Sequence, residues 1–548
     1  MASPLKRHLA ASIALLAMVA TPPLVTAHAA SRALSAPSGT AVAASLPLGP
    51  AHLLETRRTT TLQRGVTLTT IVRGTNDPAH VWTVEASIPA GDTSPDPDAP
   101  PRALSDRASA EALADRLRAD GFDARVERVV TPATADYAGG SIGWRVRVGR
   151  FADKARADAL LARMVAAGYL GGTLFTGWDG SARARGPWRL RVLTIDPGEF
   201  RGSLLAAYGP DIEDRETTSA LSRARGATAG VNAGYFVFDP AAGAPGDPAG
   251  VGVYGGRLLS ETVGHRPGLV VQKDASRTRV ERLRWRGTVK GHKGVRLALD
   301  GIDRVPGLIR NCGGTSDDVP TARPLHDFTC TDADEMVAFT SEFGQSTPPG
   351  PGLEAVLDRH DRVVSLRSPR GGPLLRGYQA VQATGSLVED LRTAAVAGKR
   401  LRISTTLNGR LSQVLGKRSS TSIVNGGPEL VRDGALHVTP RTDGFVRPTD
   451  PSFYYGFSAK RNPRTFAGVD AAGRIILATA DGRNTASLGL TIVETGAVAR
   501  ALGMRDALNL DGGGSTTMVV DDRVVNQPSD ATGERPVGDA LLILPEDS

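Results

Sequence analysis

Sulfur is scarce in this chain: of 548 residues only two are cysteine and six methionine. A disulfide-dense miniature scaffold is thereby excluded, and without a CxxC pattern metal binding by Cys312 and Cys330 is the weaker reading of that pair. The nine histidines are scattered, with no HxH or clustered His/Asp spacing, which argues against metal-assisted cleavage of a P–O bond. Beyond the N-terminus no window approaches the eighteen or so apolar residues a membrane span needs. No recognisable nucleic-acid-binding motif occurs. The one run of three glycines, Gly512–Gly514, lacks the lysine of a P-loop and a following helix.

The composition itself, 41% apolar and 22% charged, suits a globular chain of two or three domains. Lys6, Arg7 and His8 precede an apolar run from Leu9 to Ala20, and Ala27 and Ala29 form a small-residue cleavage site, so residues 1–30 are predicted to be a signal peptide. No cysteine lies near that site to carry a lipid. The expected product is a secreted or extracellular protein that could associate with the cell wall. In an oxidising compartment Cys312 and Cys330 are expected to pair, closing a loop that contributes about 3 kcal/mol in the chain-entropy model. A net charge of +8 fits an anionic partner such as a phosphate-bearing wall polymer, although the Ala/Gly/Arg-rich composition explains it equally well. Residues 31–65, which begin rich in Ala, Ser and Pro, are read as a flexible segment.

An internal repeat follows. Ser105–Phe122 and Ala152–Tyr169 align at a constant offset of 47 with eight identities in eighteen positions. Each copy is expected to be an amphipathic helix stopped by a glycine, Gly121 and Gly168, preceded by a strand (Val81–Ile88 and Trp144–Gly149) and followed by another extended segment. Two βαβ halves of this kind resemble a SPOR domain, expected over residues 66–180. The resemblance implies binding to peptidoglycan glycan strands; a merely structural module is the alternative.

From about Pro187 to the end, residues 187–548, the chain reads as one large mixed α/β domain, which makes the expected fold class α+β. Its most specific stretch is Ala507–Val520, where Leu508 and Leu510 alternate with Asn509 and Asp511, three glycines follow, and an extended run resumes at Met518. Strand, tight loop and strand are expected. Glycine backbones free to take positive φ offer an anion nest of N–H groups at Gly512, Gly513 and Gly514, with the Ser515 and Thr516 hydroxyls beside it. Three further stretches end strands in polar residues before glycine: Thr228–Phe236 with Asn232, Ser422–Gly434 with Asn425, Gly426 and Gly427, and Ile475–Arg483 with Asp481. Arg464 and Thr465 open a strand, where a guanidinium could hold a phosphate bidentately. Ser487 is expected to cap a helix from Leu488 to Leu502 that carries Glu494. Hairpin bends and a half-exposed helix glutamate are the structural alternatives for the Asn425 turn and for Glu494.

Taken together these segments resemble the phosphodiester glycosidase family, typified by the enzyme that uncovers mannose 6-phosphate by removing a capping N-acetylglucosamine. The resemblance implies hydrolysis of a sugar-1-phosphodiester, with no cofactor called for and any bound metal ion left open. Asp511 or Asp481 would activate water or steady an oxocarbenium-like centre, with Glu494 a further candidate, while Arg464, Thr465 and the glycine N–H groups receive the phosphate. Asn232, Asn425 and Asn509 would hold sugar hydroxyls or an acetamido group. The competing class is a non-catalytic protein that grips wall glycan and phosphate.

Overall fold

The computed structural model describes residues 45–90, 102–264, 266–309, 317–320, 330–409, 418–447 and 450–546. The expected signal peptide and Cys312 lie outside these residues. Among them, no helix is long and apolar enough to cross a membrane.

An eight-stranded antiparallel sheet organises the protein, in the order 55–63, 66–73, 188–195, 475–480, 464–470, 504–509, 429–432, 435–436. Its central strands are buried on both faces, and the period-2 alternation sorts their side chains. Leu193, Ile195, Ile475, Leu477 and Leu508 enter one core with Val231, Leu269 and Leu541 of the neighbouring sheets. Leu190, Val192, Ile476 and Ala478 point the other way, into a core shared with Ile492 and Val498 of the helix Ile492–Ala501. Two five-stranded sheets complete this side: 523–524, 518–520, 229–232, 540–544, 203–207 and 257–260, 252–254, 421–425, 267–272, 279–282. The fold is mixed and strand-rich, in keeping with α+β.

The two repeat helices are Arg107–Ala119 and Lys154–Ala166, their ends displaced by the offset seen in the sequence. Asp106 and Asp153 cap them by accepting from the N–H groups of Ser109 and Arg156, at 2.9 and 3.0 Å. Gly121 and Gly168 take φ of +82° and +88° just past the C-caps, as expected of glycines that stop helices. The helices cover one face of an antiparallel sheet ordered 124–131, 140–151, 82–86, 171–175, a βαββαβ module whose core is Val84, Leu113, Leu117, Val146, Val148 and Met164.

The expected boundary at residue 66 does not follow the fold. Strands 55–63 and 66–73 belong to the large sheet, where Arg73 pairs with Trp188, and the βαββαβ module is inserted between those two residues. Much of the segment read as flexible is therefore an ordered edge of the large domain. Arg73, 1% exposed, anchors it by donating to the carbonyls of Leu48, Leu53 and Pro50.

Candidate active site

Strands change sheets at the glycine turns, and this builds the site. The chain leaves the eight-stranded sheet at Asn509 and joins a five-stranded one at Met518, so Asp511 and the glycines bridge two sheets. Gly426–Pro428 makes a comparable switch between strands 421–425 and 429–432, with Gly427 at φ +141°.

At these switches lies a cleft of about 780 Å³. Asp511, Gly512–Gly514 and Ser515 line one side, Arg464, Arg483, Arg266 and Arg535 supply guanidinium groups, and Tyr235, Phe445, Phe453 and Phe457 form an aromatic wall. The three phenyl rings lie nearly parallel, with interplanar angles of 17° for Phe445–Phe457 and 6° for Phe453–Phe457. Arginines sit over them: Arg447 is 4.0 Å from the Phe453 centroid, Arg266 4.5 Å from Phe445, and Arg464 4.9 Å from Phe457.

Arg464 is 1% exposed, yet its hydrogen-bond partners are neutral carbonyls: Nε donates to Leu490 O at 3.0 Å and Nη2 to Phe457 O. Arg483 donates Nε to Asn462 Oδ1 at 3.1 Å. Neither has a carboxylate within ion-pair distance among the described residues. Burial accordingly lowers both pKa values, that of Arg464 to about 10, with the charge of Arg483 adding to its shift and that of Arg535 to the shift of Arg483. Tyr235 is shifted upward, by burial first and by the charge of Asp511 second, so its phenol stays protonated.

The glycines serve close approach more than anion binding. A Cβ at position 514 would fall 2.1 Å from Arg535 Nη2 and 2.3 Å from Asp530 Oδ1, so only glycine lets that ion pair lie on the loop. The expected nest of three N–H groups is not formed. Gly512 N–H donates to Asp511 Oδ1 at 2.9 Å and Gly513 N–H to Pro463 O at 2.9 Å, leaving the Gly514 N–H. The N–H groups of Gly426 and Gly427 are likewise spent, on Pro267 O and on Asn509 O.

Apart from Ser515, the other candidates hold the walls rather than line the cleft. Asn232, fully buried, donates to Asp511 O at 2.7 Å and accepts from Thr465 Oγ1 at 2.6 Å and from the Thr517 N–H at 3.1 Å, so it and Thr465 join three motifs. Asn425 clamps Tyr235 through that residue's N–H and carbonyl, at 2.9 and 3.1 Å. Asn509 donates to the Tyr235 hydroxyl at 2.7 Å. Thr516 is buried behind the loop, while Ser515 reaches the cleft with its hydroxyl unpartnered. Asp481 accepts from Arg191 at 2.8 Å and from the Gln527 N–H at 3.0 Å, well spent as a buried ion pair. Glu494 completes a capping box with Thr491 and bonds Arg461 through both oxygens. The helix starts at Ile492 with Thr491 as its cap, not at Leu488, and Ser487 instead donates to Asp481 O. Of the three carboxylates proposed from sequence, Asp511 alone lines the cleft. Cys330 is buried and no described cysteine is free, but its expected partner lies outside the described residues.

Sequence reading missed Tyr235, Arg266, Arg483, Arg535 and the phenyl wall. Only Tyr235 and Arg483 carried a signal, each standing within or at the end of a motif whose other residues drew the inference.

The matches to known proteins follow this geometry. A phosphodiester glycosidase model matches residues 361–544, which include Phe457, Arg464, Arg483 and Asp511, and a SPOR domain model matches residues 102–176. The chain carries a phosphodiester glycosidase domain and a SPOR domain. Human N-acetylglucosamine-1-phosphodiester alpha-N-acetylglucosaminidase is 26% identical over 204 residues, a match covering 34% of this chain and 39% of the human enzyme. Among solved structures, a Burkholderia pseudomallei protein named "Putative exported protein" is 34% identical with a TM-score of 0.79, covering 91% of this chain and 98% of that one. A hypothetical protein from Synechocystis shares the fold at 14% identity and a TM-score of 0.52, over 90% of this chain and 79% of its own.

Proposed function

We propose that this protein is an exported glycosidase that hydrolyses a sugar-1-phosphodiester, of the N-acetylglucosamine-1-phosphodiester kind, releasing the free sugar and a phosphomonoester. The observation that carries this reading is that Asp511 shares one cleft with Arg464, a buried guanidinium bonded to neutral carbonyls, and with the more exposed Arg483, neither having a carboxylate within ion-pair distance among the described residues. A buried cation lacking a counter-ion is costly, and a substrate phosphate is the anion that would relieve it. Phosphate is a good leaving group that hardly needs protonation, so one carboxylate suffices. Asp511 would activate water or stabilise the oxocarbenium-like centre while Arg464 and Arg483 take the charge developing on phosphate. The phenyl wall would receive the sugar ring.

Incubation with a panel of sugar-1-phosphodiesters tests the reading: free sugar should appear with the parent protein and fall away in Asp511→Asn. Binding without turnover in the parent would make it a glycan- or phosphate-binding protein instead. The SPOR domain supports a wall location and peptidoglycan as a partner. The intact protein should be retained on peptidoglycan lacking stem peptides, and equal retention on cellulose would count against that partner. Pairing of Cys330 with Cys312 remains part of the proposal; two thiols titrating in the unfolded, unreduced chain would contradict it.

A further inference from the structure

The face of the SPOR module's sheet that carries no helices is not open to solvent. Along strand 82–86, Val84 and Ala86 meet the helices, so Glu85 faces the other way, opposite Arg147 on strand 140–151. Glu85 is 9% and Arg147 2% exposed. The cover is Asp179 together with the segment that runs from Pro451 to Lys460, a short helix continued by the π-helical turn Tyr455–Ala459. Tyr455 donates its hydroxyl to Glu85 Oε2 at 2.6 Å and accepts from Arg145 Nη1 at 2.7 Å. Lys460 Nζ donates to Glu85 Oε1 at 2.6 Å.

Toward the cleft, the same segment contributes Phe453, Gly456 and Phe457. Its carbonyls also orient the cleft's cations. Phe457 O accepts from Arg464 Nη2, and Gly456 O accepts at 2.9 Å from Asn462 Nδ2, whose own Oδ1 receives Arg483 Nε. A continuous line of contacts therefore leads from Glu85 and Arg145 of the module through Tyr455 and its turn to the two guanidinium groups without carboxylate partners.

We infer that Tyr455 and Lys460 are positioning residues through which the SPOR module sets Arg464 and Arg483 for an anionic substrate. The inference rests on the proposed reading of the cleft as a phosphate site. It assigns the module's sheet face to the glycosidase domain, leaving its helical face and edges for any wall polymer.

The test is a double-mutant cycle on the intact protein, with inorganic phosphate as the probe. Tyr455→Phe keeps the ring and removes the hydroxyl, and it should weaken phosphate binding roughly fivefold, the worth of about one hydrogen bond. In an Arg464→Lys background the same change should cost less than about twofold, because the effect travels through Arg464. Glu111→Gln, on the module's outer helix, should leave affinity unchanged. Amide hydrogen exchange over residues 455–462 should quicken in Tyr455→Phe. Additive effects in the cycle, or unchanged exchange, overturn the inference. A parent that binds no phosphate refutes the reading of the site instead, and the exchange measurement then decides the positioning claim by itself.

Discussion

Two pairs of arginines in this molecule differ in what surrounds them. At the contact between the SPOR module and the large domain, Arg147 bonds Asp179 at 2.7 and 2.8 Å, and Arg145 bonds Asp179 at 3.0 and 3.1 Å and Glu127 at 2.9 Å. Burial works to lower their pKa values, but these carboxylates outweigh it and raise them. In the cleft, Arg464 and Arg483 have carbonyl or amide oxygens as partners, and burial prevails. One residue type thus serves two purposes. Where the chain supplies a carboxylate within ion-pair distance the pair fastens two parts together; where none lies that close, the proposed reading assigns the cation to an anion from outside.

The largest expected effect lies on the cleft side. Asp511→Asn should lower turnover by on the order of a hundredfold or more with little change in substrate affinity, since a carboxylate that acts in the transition state contributes little to ground-state binding. Steady-state kinetics with a separate binding measurement would show it. Arg464→Lys should weaken phosphate binding roughly tenfold, because a lysine cannot reproduce the planar fork held by two carbonyls; titration calorimetry reads this directly. An unchanged affinity would reduce Arg464 to a structural cation like those at the contact.

On the contact side the expected effect is on stability and depends on pH. Burial pushes the Asp179 carboxyl up, but the hydrogen bonds and charges of Arg147 and Arg145 outweigh it and hold it at about 2. A folded-state pKa below the unfolded value means that the contribution is present above the unfolded pKa, near 4, and is lost as pH falls through about 2. Thermal melts should therefore show Asp179→Asn losing its disadvantage relative to the parent between about pH 4 and about pH 2. A constant difference across that window would show that the carboxylate's charge does not stabilise the contact.

The same contrast explains how far the sequence could be read. The repeat was legible because helix patterning, caps and stop glycines are local, and the offset between Arg107–Ala119 and Lys154–Ala166 survived intact. Asp511 was legible because polar residues at a strand end before glycines recur where sheets carry sites. The insertion of the module was not, since the pairing of Arg73 with Trp188 joins residues that no local pattern connects. The anion nest failed because the acceptor for the Gly513 N–H is Pro463 O, contributed by another strand's approach. Glu494 could have been placed correctly: Thr491 three residues before it is a capping-box signal, which the nearby Ser487 obscured. The phenyl wall combines Phe445 with Phe453 and Phe457 from a segment whose aromatic spacing has no signature of its own.

If the cleft is a glycosidase site, the bond that breaks joins the sugar to the bridging oxygen of the phosphodiester. Hydrolysis of a sugar-1-phosphodiester in ¹⁸O-labelled water, followed by mass spectrometry of both products, tests this most directly. Glycosidic cleavage places the label on the released sugar and none on the phosphomonoester; label on the phosphate would mean P–O cleavage and would contradict the proposed roles of Asp511, Arg464 and Arg483.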